Sequence, residues 1–173
     1  MSNKHNLKIA ISGKSGCGNT TVSKRVAAKL KLDVVNYTFH NMADEMEIPF
    51  SELLAKAQED YSYDRYLDRR QVEVASKGNV VLGSRLAIWL LKDADLKVFL
   101  KASPEERARR IQKREGGDFQ DVLAKTRKRD ERDRNRYIEI YDIDNDQYDF
   151  ADLIIDTEKY NTEEIADIIV KSI

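Results

Sequence analysis

The chain has 173 residues, with 30 Lys plus Arg against 31 Asp plus Glu and a single cysteine. That length suits one domain with a full core, spanning 1–173, and the near-neutral balance gives no general attraction for polyanions, so an anion site must be local and a nucleic-acid partner is not expected. One cysteine excludes an internal disulfide, the N-terminus lacks the apolar stretch of a signal peptide, and no run reaches the ~20 apolar residues of a spanning helix; a cytoplasmic chain with no membrane residence is the expectation.

The first element is an alternating run, Leu7, Ile9 and Ile11, which predicts a strand over Lys8–Ser12. Gly13-Lys14-Ser15-Gly16-Cys17-Gly18-Asn19-Thr20-Thr21 follows, and then a helical pattern at Val22, Val26, Ala27 and Leu30. A strand, a glycine turn and a helix start in that order bring successive N–H groups and a helix N-terminus onto one anion, which is a phosphate cradle. The pattern G-x-x-x-x-G-K-[ST] is met at Gly13, Gly18 and Thr20, but Asn19 stands where the lysine belongs. Asparagine donates hydrogen bonds and brings no charge, so another cation must serve the phosphates; Lys14, projecting from the same loop, is the candidate. Thr20 is the better-placed hydroxyl for Mg²⁺, with Thr21 beside it. Cys17 reads as a small side chain at a crowded turn, with a thiolate redox switch as the alternative.

Further strand-like runs lie at Asp33–Asn36, Asn79–Leu82, Leu96–Leu100 and Leu153–Ile155, with helical patterns between them. This alternation predicts a parallel sheet of five strands covered by helices on both faces, with ligands gathered beyond the carboxyl ends of the strands. A helix containing Tyr63 to Lys77 is expected to stop at Gly78. Ser103-Pro104-Glu105-Glu106 supplies an N-cap, a proline at the first helical position and a capping-box glutamate, and Asn161-Thr162-Glu163-Glu164 a second capping box before Ile165, Ile168 and Ile169.

Arginines 107, 109, 110 and 114 fall on one predicted helix and 127, 129, 132, 134 and 136 on another, on either side of Glu115-Gly116-Gly117-Asp118. Two arginine-rich helices joined by a glycine pair suit a lid that closes over a phosphate chain. Helical spacing puts Arg129, Arg132, Asp133 and Arg136 on one face, and Asp130 and Arg134 on the other. Asp142 to Asp146 has the alternating oxygens of a calcium loop, but Gln147 and Leu153 stand where glycine and glutamate are needed, so it reads as an acidic turn. Trp89, Tyr61, Tyr63 and Tyr66 read as core and cleft packing, whereas Tyr37 and Phe39 lie just beyond the second strand, where an acceptor base could be flanked.

At these residues the chain resembles the nucleoside monophosphate kinases and, among them, the cytidylate kinases. Arg129–Arg136 (RDERDRNR) is similar to the lid-exit motif of the bacterial members, Ser103–Arg107 (SPEER) to the helix leading into their lid, and Asp64–Gln71 (DRYLDRRQ) with Arg85-Leu86-Ala87 to the short, archaeal-type members. The resemblance implies a P-loop three-layer sandwich with a helical NMP-binding segment at about 37–70 and a lid at about 107–136. It implies transfer of the γ-phosphoryl group of ATP to CMP or dCMP with Mg²⁺, by a chain expected to be a monomer. Carried over by position, Arg129, Asp133 and Arg136 would be catalytic, joined by Lys14 as the cation that replaces the missing loop lysine, and Gly13 to Thr21 with Arg110 and Arg114 would hold ATP. Tyr37, His40, Asp64, Asp68, Arg69, Arg85 and Arg132 would line the acceptor side, with Asp64 or Asp68 facing the exocyclic amine of cytosine. The chain departs from the family at Asn19, at His40, where an arginine is common, and at Gly83-Ser84, where an acidic residue would help hold Mg²⁺. These lost charges keep two alternatives open: a kinase for another acceptor such as AMP or UMP, or a nucleotide-binding protein with little turnover.

Overall fold

The structure is a computed structural model and describes residues 6–35 and 37–173. The alternating segment after Leu7 forms β1 (Lys8–Gly13), and the glycine turn leads into α1 (Asn19–Leu30). The second strand is short, β2 (Asp33–Val34), although the Val35 N–H still donates to the Val81 carbonyl at 3.0 Å. Asn36, included in the predicted strand, lies outside the described residues. Three helices follow, α2 (Phe39–Glu45), α3 (Phe50–Glu59) and α4 (Ser62–Ala75), before β3 (Val80–Gly83), the short α5 (Ala87–Leu90) and β4 (Leu96–Lys101). The arginine-rich part is α6 (Pro104–Glu115) and α7 (Phe119–Tyr141), and β5 (Leu153–Asp156) and α8 (Thr162–Lys171) close the chain.

All four strand pairings are parallel, in the order β2-β3-β1-β4-β5. The five expected strands are present, and the turn after the central strand β1 is therefore flanked by the ends of β3 and β4. Pleating sends Ile9 and Ile11 to one face, where they pack with Val22 and Val26 of α1 and Ile165 and Ile169 of α8; Ala10 on the other face meets Leu82, Ile88, Leu91 and Phe99. Each fully buried isoleucine or valine contributes roughly 1.5–3 kcal/mol, so the stripes that the sequence pattern exposes are also what hold the helices to the sheet. A smaller cluster of Tyr37, Met42, Ala43 and Leu53 holds α2 and α3 together away from the sheet.

Both N-caps form, but only one capping box does. Ser103 Oγ accepts from Glu106 N, while the Ser103 N–H goes to Glu158 at 3.1 Å and Glu106 turns to Arg109 and Arg110. Asn161 and Glu164, by contrast, exchange both capping-box bonds. Gly78 sits beyond α4 at φ 80° against Asn6, leaving no room for a side chain. Among the described residues, no helix is long and apolar enough to cross a membrane.

Candidate active site

The turn between β1 and α1 builds a cavity of about 340 Å³ lined by Gly13 to Thr21, Gly83, Ser84, Arg85, Arg114 and Arg129. Gly18 caps α1 in the left-handed region at φ 88° with no side-chain cap, so the first N–H groups of the helix stay open to an anion. Gly16, at φ 81°, sits so close to the start of α6 that a Cβ would meet the Arg107 carbonyl at 2.9 Å. Cys17 is buried under the turn against Gly13, and burial pushes its thiol pKa up, which suits the packing role and opposes a reactive thiolate. Thr20 and Thr21 are exposed at the helix start.

Asn19 and Lys14 take up contacts that their sequence positions do not reveal. Asn19 Nδ2 donates to the Ile11 carbonyl at 2.9 Å, and Oδ1 accepts from Ser23 Oγ at 2.9 Å, so the amide is tied to the framework. Lys14 Nζ donates to Asp146 Oδ1 at 2.5 Å, on the acidic turn between α7 and β5. That turn is itself clamped to α7 by a two-pronged Arg134 to Asp144 pair at 2.9 and 2.8 Å, which holds the Asp144 carboxyl down at about 2. Its acidic residues thus serve as counter-ions; no cluster of three potential metal-ligating side chains occurs among the described residues.

Beyond the cradle opens a larger cleft of about 960 Å³. Arg129, Arg132, Asp133 and Arg136 of α7 line it together with Arg85, Asp64 and Phe39. The predicted face of α7 is therefore the one turned to the cleft, while Asp130 and Arg134 point elsewhere, to Arg107 and Asp144. Arg85 and Arg129 line both cavities. Burial and the neighbouring charge of Arg85 push the Arg129 pKa down, and Asp133 lies 3.5 Å from the Arg85 guanidinium. Two cations held side by side at the mouth of two cavities, with one carboxylate between them, form a site made for further negative charge.

Asp64 faces the cleft but is hydrogen-bonded to Arg136, whose guanidinium also lies 5.3 Å from the centre of the Tyr61 ring. Burial raises the Asp64 pKa and that arginine opposes the rise. Asp68 lies one turn along α4 and accepts from the Tyr141 hydroxyl at 2.5 Å; burial pushes its carboxyl up to about 6. Neither carboxylate pairs with Arg65 or Arg69, the neighbours along the helix. Arg69 is set apart from the cleft, in an outer groove with Met42 and Tyr66. His40 stacks on Phe50 with ring centroids 3.6 Å apart and does not line the cleft. Tyr37 is buried, with its hydroxyl donating to Glu45 at 2.8 Å, and burial pushes its pKa up to about 12. Arg110 donates to the Gly16 carbonyl at 3.3 Å and to both oxygens of Thr157, while Arg114 lines the cradle.

Tyr61, read as core and cleft packing, does line the cleft. Two contributions escape a reading of the sequence, the first being Tyr137, although its i,i+4 spacing from Asp133 was visible. Arg107, only 3 % exposed in its side chain, forms a two-pronged pair with Asp130 at 3.0 and 2.7 Å and donates to the Ser15 carbonyl at 3.3 Å, pinning α6, α7 and the glycine turn together. Its counterpart lies 23 residues away, beyond the reach of local spacing.

Comparison with known proteins places these features in a family. Residues 8–159 match the cytidylate kinase-like family. Cytidylate kinase 2 of Borreliella afzelii is 52% identical over 167 residues, covering 94% of each chain, and the cytidylate kinase of Archaeoglobus fulgidus is 41% identical over 170 residues, covering 96% of this chain and 94% of that protein. Among solved structures, shikimate kinase from Acinetobacter baumannii in complex with shikimate superposes with a TM-score of 0.67 at 19% identity, over 98% of this chain and 93% of that one, a likeness that speaks to the P-loop kinase fold alone. The chain belongs to the cytidylate kinase-like family.

Proposed function

We propose that the protein is an ATP-dependent nucleoside monophosphate kinase that converts CMP or dCMP to the diphosphate. The observation that carries this reading is the pair Arg85 and Arg129, which line both the glycine cradle and the larger cleft. A donor polyphosphate in the cradle and an acceptor phosphate in the cleft would meet between them. An acceptor phosphate oxygen then attacks the γ-phosphorus, the bond from that phosphorus to the β–γ bridging oxygen breaks, and ADP leaves. No covalent enzyme intermediate is needed, so the chain's task is to position the two phosphates and offset their charge.

In this reading the N–H groups of Gly13 to Thr21 hold the donor, Lys14 leaves Asp146 to reach the terminal phosphates, and Arg110 and Arg114 flank the donor from α6. Arg129, Arg132 and Arg136 face the acceptor, with Asp133 orienting Arg85. The segment at about 37–70 forms the acceptor side and the α6–α7 hairpin, about 107–136, the lid. The exposed Thr20 hydroxyl in the cradle, without a carboxylate cluster, fits an Mg²⁺ ion bound mostly through substrate oxygens. Such an ion would supply further neutralisation of the donor phosphates. Asp64 is the better placed of the two α4 carboxylates to meet the cytosine amine, because it lines the cleft. The cytoplasm, where both nucleotides are held, is the compartment this reading assigns, and a monomer carries every element it uses.

The test is ADP release by the purified protein with ATP and Mg²⁺, with CMP, dCMP, UMP, AMP and GMP compared at equal concentration. Turnover confined to CMP and dCMP is expected. A different preferred acceptor would reassign the cleft, and nucleotide binding without ADP release would overturn the reading.

A further inference from the structure

Asn19 is the first residue of α1, yet its side chain bonds neither the helix's own N–H groups nor another part of the glycine turn before it. Its Nδ2 donates to the Ile11 carbonyl at 2.9 Å and reaches the Ser84 carbonyl at 3.5 Å. The Ile11 carbonyl also accepts from the Ser84 N–H at 3.1 Å. On the other side, Oδ1 accepts from Ser23 Oγ at 2.9 Å. Gly83 completes the junction, because a Cβ there would fall on Ser23 Oγ and Asn19 Oδ1. The amide therefore lies against the backbone that leads directly into Arg85, and joins the end of β1, the first turn of α1 and the end of β3.

A lysine could not make this junction. Its ammonium donates only, so Ser23 would lose its acceptor and the space over Gly83 would hold a flexible alkyl chain. We propose that Asn19 is a positioning residue that acts through Ser84 on Arg85, fixing the backbone from which Arg85 spans the two cavities. Arg85 then adds its charge from across the site to that of Lys14 in the loop. What Arg85 does to a phosphate rests on the kinase reading above; the coupling between Asn19 and Arg85 does not.

The experiment compares Asn19→Ala, Ser23→Ala, Arg85→Ala and the Asn19→Ala/Arg85→Ala double variant. Three quantities are read: kcat with ATP and CMP, the Kd for ATP, and the Arg85 Nε–H resonance of ligand-free protein labelled with [¹⁵N]arginine. Misplacing a charge by a fraction of its working distance is expected to lower kcat about 10- to 100-fold in Asn19→Ala. The Kd for ATP should stay within about threefold, because the amide makes no ground-state phosphate contact. Ser23→Ala, which leaves Asn19 in place, should move kcat in the same direction by less. In the Arg85→Ala background the Asn19→Ala loss should vanish, and the Arg85 resonance should shift in both junction variants.

Full losses in both backgrounds with an unmoved Arg85 resonance would overturn the proposal, as would an ATP affinity that falls as far as kcat. A wild-type protein without CMP-dependent turnover would sink only the kinase reading. The resonance would then still decide the coupling.

Discussion

The cradle and the cleft hold charge by opposite means. The cradle is built on nine consecutive residues, with glycines at positive φ and a helix start that leaves its backbone N–H groups open, and Gly83, Ser84, Arg85, Arg114 and Arg129 only complete its wall. The cleft is a set of side chains brought from α2, α3, α4, the β3–α5 connection and α7, and it exists only when those elements are packed. Backbone sites are local and tolerant of the side chains around them. Side-chain sites depend on partners far along the chain: Arg136 and Asp64 are 72 residues apart, and Tyr141 and Asp68 are 73 apart.

The largest expected effect strikes the joint between the two. Arg107→Met leaves the partly buried Asp130 without its partner and removes the tie to Ser15, which should cost up to about 3–5 kcal/mol of stability, read from the urea midpoint. A variant as stable as wild type would mean that the cradle and the α6–α7 hairpin stand independently. Next come the cations themselves. Arg129→Ala, which empties the boundary between the two cavities, should lower kcat about 10²- to 10³-fold. Lys14→Ala should cost less, because Asp146 must first be displaced; equal losses would put the decisive cation in the loop.

Two glycines sharpen the backbone side of the comparison. Gly16→Ala and Gly18→Ala both force a left-handed alanine, a strain of about 1–2 kcal/mol. Only Gly16 also meets the Arg107 carbonyl at 2.9 Å, so its variant should be less stable by a further ~1–3 kcal/mol in thermal unfolding. Equal losses would show that the start of α6 gives way.

The smallest effect belongs to Asp68, on the side-chain face. Burial raises its carboxyl pKa to about 6, above the unfolded value of 3.8, so the folded chain holds that proton more tightly than the unfolded one. Its penalty is full above pH 6 and fades as the pH falls toward 4. Asp68→Asn, which still accepts from Tyr141, should therefore be more stable than wild type at pH 8 by about 1–3 kcal/mol, with the gap narrowing at pH 5. A gap independent of pH would mean that Asp68 does not titrate in this range.

The same contrast explains what could be read in advance. The order of strands and helices, the caps at Ser103 and Asn161, the cradle and the inward face of α7 all follow from spacings of one to four residues, where periodicity carries the information. β2 is shorter than its apolar run: it pairs with Val80 and Val81 and stops although β3 runs on to Gly83, because a strand's extent depends on pairing and not on apolar character alone. The positions of Asp68, Arg69 and His40 were not legible, because helical spacing names a face and not what packs against it.

By itself, the sequence determined the class of fold, the glycine turn and the arginine helix, since each rests on local backbone geometry or on the period of one element. Tertiary structure alone decided how the charges are paired. Lys14 meets Asp146 across 132 residues, Arg107 meets Asp130, and the amide of Asn19 is given to the sheet. Charges interact through space rather than along the chain, so the choice among many acids and bases is made only when packing fixes the distances between them.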